Sequence, residues 1–105
     1  MSTPSRKQQI LDMLADEPND PELRYMLAME CASESNDAEA VRCFEELIAV
    51  APNYAPGYHM GARALVRLDR IADAKALLLR GIPAALSQGN EHAAGEMREL
   101  LESLE

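Results

Sequence analysis

The sequence predicts an all-α fold of about six antiparallel helices. Three observations carry that expectation. Nearly half of the 105 residues are apolar, yet the aromatic ones are only Tyr25, Phe44, Tyr54 and Tyr58, and there is no Trp. Ala, Leu and Met therefore supply most of the apolar volume, as closely packed helices require. Few stretches alternate apolar and polar residues with β-branched side chains, which argues against a sheet. Finally, Pro18-Asn19 and Pro52-Asn53 stand 34 residues apart, and much of the intervening pattern repeats with them.

Each element has its own start and stop signals. The first helix is expected over 4–16, with Thr3 as cap and Pro4 at the first helical position. After "EPND", Asp20 caps a second helix that opens on Pro21 and runs to about Glu34. "SND" interrupts the chain, and Asn36, with Glu39 three residues on, opens a third helix to about Val50. "APN" ends it. Asn53 is expected to cap a fourth helix to about Leu68, with Pro56 in its first turn, where a missing N–H costs little. A fifth helix begins near Ile71 and a sixth spans 90–104. Pro83 lies inside the fifth, where it removes a backbone hydrogen bond; a kink is expected there, because Ala84, Ala85 and Leu86 continue the apolar pattern.

A shift of 34 residues aligns Met26 with Met60, Ala28 with Ala62, Ala38 with Ala72, Ala40 with Ala74, Ile48 with Ile82 and Ala51 with Ala85. Cys31 falls on Leu65, Phe44 on Leu78 and Glu39 on Asp73. Two helices per period is the signature of stacked hairpins, each burying apolar surface that it cannot cover alone. The division expected is a half-repeat helix over 4–16, repeats over 20–53 and 54–87, and a capping helix over 90–104. The terminal stripe Met97, Leu100, Leu101 and Leu104, with Glu96, Arg98, Glu99 and Glu102 between, has the one polar face that a cap needs.

Charge and motifs exclude several functions. The net charge of −8 is wrong for a general binder of phosphate backbones. It is also uneven: residues 54–86 carry two acids and five bases, whereas both flanking segments are acidic. "MSTPSRKQQI" has no apolar run behind its bases and is not a signal peptide, and no apolar run approaches a membrane span. Cys31 and Cys43 fit free thiols in a reducing, cytoplasmic setting; a bridge between them is the other reading. No metal-ligand spacing, phosphate loop or nucleophile–base pair exists, and His92 with Glu96 is too small a set for a metal. The expectation is a non-catalytic protein without metal or cofactor.

These residues resemble the tetratricopeptide repeat family. Its pattern places a large residue, Leu-Gly and Tyr on the leading helix, then Ala, an aromatic, Ala and Pro on the trailing one. The first full repeat offers Leu27-Ala28, Cys31, Ala40, Phe44 and Pro52; the second offers Tyr58, Gly61-Ala62, Leu65, Ala74, Leu78 and Gly81. The departures are the absent Trp, Cys31 in place of an aromatic, and Leu86 where the closing proline would fall. The resemblance implies a short right-handed superhelix whose leading helices line a concave groove for a peptide or helix of a partner protein.

Outward positions on those leading helices are Tyr25, Met29 and Ser33, then His59, Arg63 and Arg67, then Glu91, Gly95 and Glu99. His59, Arg63 and Arg67 recur every four residues and share one helix face. Arginine suits carboxylates, so an acidic or C-terminal segment is the ligand this set predicts, with Tyr25 and Met29 giving apolar contact. Alternatively, Arg63 and Arg67 pair only with Glu30, Glu91 or Glu99, as charged helix faces commonly do. A rival function is a self-associating structural subunit, a homodimer formed through the exposed ends of the stack.

Overall fold

The computed structural model describes residues 3–105; the first two residues of "MSTPSRKQQI" lie outside the described residues. Six helices follow one another: α1 (Arg6–Asp16), α2 (Pro21–Ser33), α3 (Asp37–Val50), α4 (Ala55–Arg67), α5 (Ile71–Ser87) and α6 (Glu91–Ser103). Among the described residues there is no strand.

Local chemistry sets most of the boundaries. The Asp20 carboxylate accepts the N–H groups of Glu22 and Leu23, and the Asn36 and Asn90 side chains accept those of Glu39 and Ala93. Each satisfies a donor that the first helical turn leaves without a partner. Two expected caps move. At α1 the cap is Ser5, whose hydroxyl accepts the Gln8 N–H at 3.0 Å, so Thr3 and Pro4 precede the helix. At α4 the cap position is Tyr54, without a side-chain bond, because Pro52-Asn53 forms a turn closed by the Tyr54 N–H on the Ala51 carbonyl at 3.0 Å. The same turn closes 34 residues earlier, from the Asp20 N–H to the Glu17 carbonyl at 3.2 Å. Even the stitch above it repeats: Arg24 Nε donates to the Pro18 carbonyl and the Tyr58 hydroxyl to the Pro52 carbonyl, both at 2.6 Å.

The turns inside the hairpins are of another kind. Ser35 and Asp69, again 34 apart, both have φ of 59°, and the chain after each folds back onto the preceding helix. The Asn36 N–H reaches the Cys31 carbonyl and the Arg70 N–H the Leu65 carbonyl. This left-handed helix stop satisfies carbonyls that the helix end would otherwise leave open.

The fifth helix does not end at Pro83. It runs through to Ser87, beyond Ala84, the counterpart of the last residue of α3. Pro83 cannot bond the Leu79 carbonyl, but both residues lie on the solvent side, where water can take that carbonyl. The extension displaces the next turn, which closes at Gly89 with φ of 69°.

Packing follows chain order: each helix lies on the next, and α4 also touches α2 and α6. The body measures 50 × 29 × 19 Å. Ala28, Ala62 and Ala94 on α2, α4 and α6, with Ala40 and Ala74 on α3 and α5, are wholly buried. They let helix axes approach while Ile10, Phe44, Leu47, Leu78 and Met97 fill the gaps. Every buried side-chain polar atom among the described residues has a hydrogen-bond partner. Cys31 and Cys43 are buried and unbridged. Burial, the adjacent Cys31 and the carboxylates of Glu39 and Glu46 push the Cys43 thiol up to about 12.

Candidate functional site: the face of the leading helices

α2, α4 and α6 stand side by side and share one face of the stack. α4 is the centre of it, because its small residues bring it close to both α3 and α5. A Cβ on Gly57 would lie 3.1 Å from Leu47 Cδ2, and one on Gly61 would lie 3.0 Å from Leu77 Cδ2 and 3.2 Å from Phe44 Cβ. α4 thus buries its back against α3 and α5 and turns His59 and Arg63 to the shared face.

Two adjoining hollows mark that face. The first, about 250 Å³, lies between Tyr25, Pro56, His59, Met60, Ala93 and Glu96. The second, about 280 Å³, is lined by His59, Arg63, Glu96, Glu99 and Leu100. His59 borders both. Its burial lowers its pKa, the Glu96 carboxylate opposes that shift, and the Arg63 charge adds to it. Tyr25 is half-buried, with its ring centroid 6.2 Å from that of Phe44 and 5.8 Å from that of Tyr54. Burial raises its phenol pKa. Met29 is half-buried against the core beside it.

The same fold appears in solved proteins. A tetratricopeptide repeat domain protein from Salinibacter ruber, determined in solution, is 33% identical and superposes with a TM-score of 0.79, over 84% of this chain and 89% of that one. This chain belongs to the tetratricopeptide repeat family. A crystal structure of a Salinibacter ruber tetratricopeptide repeat domain protein agrees at 32% identity and TM-score 0.76, over 81% of this chain and 96% of that one. A Bordetella parapertussis protein at 20% identity and TM-score 0.82, over 97% of this chain and 89% of that one, shares the fold. No family model and no curated protein matches the chain. Tetratricopeptide repeat domains are in general non-enzymatic scaffolds, and the fold supports a generic protein-interaction module here. No helix among the described residues is long and apolar enough to cross a membrane.

Within this repeat stack the expected groove residues separate. Tyr25, His59 and Arg63 border the hollows, and Met29 packs nearby. Ser33 does not border them: it ends α2, and its hydroxyl donates to the Glu30 carbonyl at 2.8 Å. Arg67 is engaged elsewhere. Its Nε donates to Asp37 Oδ1 at 2.8 Å, tying the end of α4 to the first residue of α3. That partner is none of the expected Glu30, Glu91 or Glu99; Glu30 pairs with Arg6 at 2.6 Å instead. Arg63 has no carboxylate within 4 Å among the described residues.

On α6 the face is built from His92, Glu96 and Glu99 rather than Glu91, Gly95 and Glu99. His92 Nε2 lies 3.1 Å from Glu96 Oε1. The i,i+4 spacing of His92 and Glu96 was the available signal, but the extension of α5 changes the register at which α6 meets α4. Met60, which aligns with the half-buried Met26, completes the apolar floor.

Proposed function

We propose that the face of α2, α4 and α6 binds a segment of a partner protein, as the concave surface of a half-repeat, two repeats and a capping helix. The observation that carries this reading is Arg63: an exposed guanidinium at the edge of the second hollow, without a carboxylate partner among the described residues, while Arg67 one turn on along the same helix is paired with Asp37. An acidic side chain or a C-terminal carboxylate suits Arg63, through the planar donor fork of its guanidinium. Glu96 and Glu99 border the same hollow, so the ligand is acidic at one point rather than along its length, with a neutral or basic group following. Tyr25 and Met60 offer the apolar contact that anchors such segments.

Arg63→Glu is expected to leave the circular dichroism spectrum unchanged and to abolish affinity capture of the partner from native lysate. Capture of the same protein by the variant at wild-type yield would refute the groove. Arg67→Glu is a poor substitute, because it sets two carboxylates against each other at Asp37.

Self-association through the ends is the second reading, and the exposed Leu11 and Met13 on α1 favour it. Sedimentation velocity decides: a monomer at micromolar concentration removes it. Buried, unbridged Cys31 and Cys43 support a cytoplasmic setting.

A further inference from the structure

The solvent side of α5 differs from that of α3. Ala72, Ala76, Leu79, Pro83 and Leu86 recur at intervals of four and three along it, and all are exposed. Leu79 is 62% exposed, the most of any large apolar side chain among the described residues, and Leu86 is 41% exposed. The same positions on α3 are Ala38, Arg42, Glu45 and Ala49, leading to Pro52. Solvent-facing positions of this hairpin therefore accept charge without harm to the fold. On α5 the corresponding line is uncharged along the length of the helix. Alternating spacings of four and three make the seam that one helix offers another, and an uncovered apolar line of this kind on a small soluble domain marks an interaction surface.

Charge narrows the occupant. Lys75 borders the line on one side and Arg80 on the other, and neither has a carboxylate within 4 Å among the described residues. Arg80 instead lies 5.7 Å from the centre of the Tyr58 ring. Beside Ala76 a hollow of about 420 Å³ opens between α3 and α5, floored by Phe44, Gly61 and Leu65. Arg80 and Glu45 stand at its edge, with Arg70 and Asp73, which pair with each other at 2.9 Å, so the excess positive charge along the line comes from Lys75 and Arg80 against Glu45. The hollow can accept a bulky side chain from whatever lies on α5. A second copy of this chain laid antiparallel on the line, centred on Leu79, would bring each Arg80 beside its own equivalent, and like charges so placed disfavour the pair.

We propose that the outer face of α5 docks an amphipathic helix of a partner protein whose apolar stripe is flanked by acidic residues. The site lies on the opposite side of the hairpin from the Arg63 groove and is independent of it. The basic borders attract acidic flanks, and the apolar line with its adjoining hollow receives the stripe.

The probe is a synthetic helix of about three heptads with leucine at the seam and glutamate beside it; its counterparts carry lysine for glutamate, or a scrambled order. Fluorescence anisotropy is expected to show saturable binding of the acidic helix, about tenfold or more tighter than either counterpart. Leu79→Glu, which copies the residue found at the matched position of α3, is expected to weaken binding about tenfold or more. Lys75→Glu with Arg80→Glu weakens it about three- to tenfold, with a larger effect at low salt. Arg63→Glu leaves it unchanged, and amide NMR shifts fall on α5 rather than on α2 and α6. Equal binding of the scrambled helix, or no loss with Leu79→Glu, overturns the proposal. So does a concentration-dependent dimer that Leu79→Glu dissolves in the absence of peptide binding, which would assign the face to a second copy. Vesicle binding that the same substitution removes, again without peptide binding, would assign it to a membrane.

Discussion

The α2–α3 and α4–α5 hairpins have the same architecture and opposite packing. Leu23, Leu27 and Leu47 of the first stand where the second has Gly57, Gly61 and Gly81. The leucines are buried, and Leu47 wholly so. The glycines leave their volume to neighbours: a Cβ on Gly81 would lie 2.5 Å from Tyr58 Cβ and 2.7 Å from Met97 Sδ. The first hairpin adds an ion pair between its helices, Arg24 to Glu46 at 2.9 Å, and a pair of adjacent thiols. The second places Leu65 and Leu77 where those thiols stand. A repeat position therefore dictates backbone course and not side-chain size; size is set by what the adjoining helix projects into the space.

The largest effect that tests this comparison is a pair of substitutions at one matched position. Leu47→Ala is expected to cost about 3 kcal/mol, as a cavity in a filled site. Gly81→Ala is expected to cost about 2 kcal/mol, because overpacking against the Tyr58 backbone-linked Cβ outweighs the gain in helix propensity. Urea unfolding measures both. A stabilising Gly81→Ala would mean that the close approach of α5 to α4 is not what that glycine serves. Next comes Tyr58→Phe, expected to cost about 1 kcal/mol through loss of the bond to the Pro52 carbonyl. An unchanged midpoint would reduce the stitch shared with Arg24 to coincidence.

The smallest effect, read just above pH 9, isolates one thiol of the first hairpin by pH. The Cys43 thiol has a folded pKa raised to about 12 from an ordinary value of 9.0. The folded state therefore holds a proton that the unfolded state releases, and stability is full below pH 9 and declines as pH rises towards the folded value. This loss begins before that of the Tyr25 and Tyr54 phenols, whose values are also raised, chiefly by burial. Cys43→Val is expected to flatten the slope just above pH 9, whatever it does to stability at neutral pH. A slope identical to wild type would place its origin in a group other than Cys43.

The stack was legible in the sequence because its determinants are local. The prolines at the repeat boundaries, the Asp20 and Asn36 caps and the paired small residues each act within a few positions of themselves. Asn53 misled because a side chain that can cap a helix can equally sit in a turn, and Pro52 before it favours the turn. The α6 register was hidden because it depends on how far α5 continues past Pro83, which solvent on the Leu79 side permits. The partner of Arg67 was hidden for a different reason: Asp37 is 30 residues upstream. Only the folding of one hairpin against the other brings the start of α3 beside the end of α4.

Because each helix rests mainly on its chain neighbours, most native contacts join residues close together in the sequence. Chains of this topology reach their transition state without a long search and fold in microseconds to milliseconds. Opening should be graded along the array in the same way. Among the described residues α1 touches only α2, so its amides are expected to exchange with solvent first, while those of α4, which touches four other helices, exchange only when the whole domain opens.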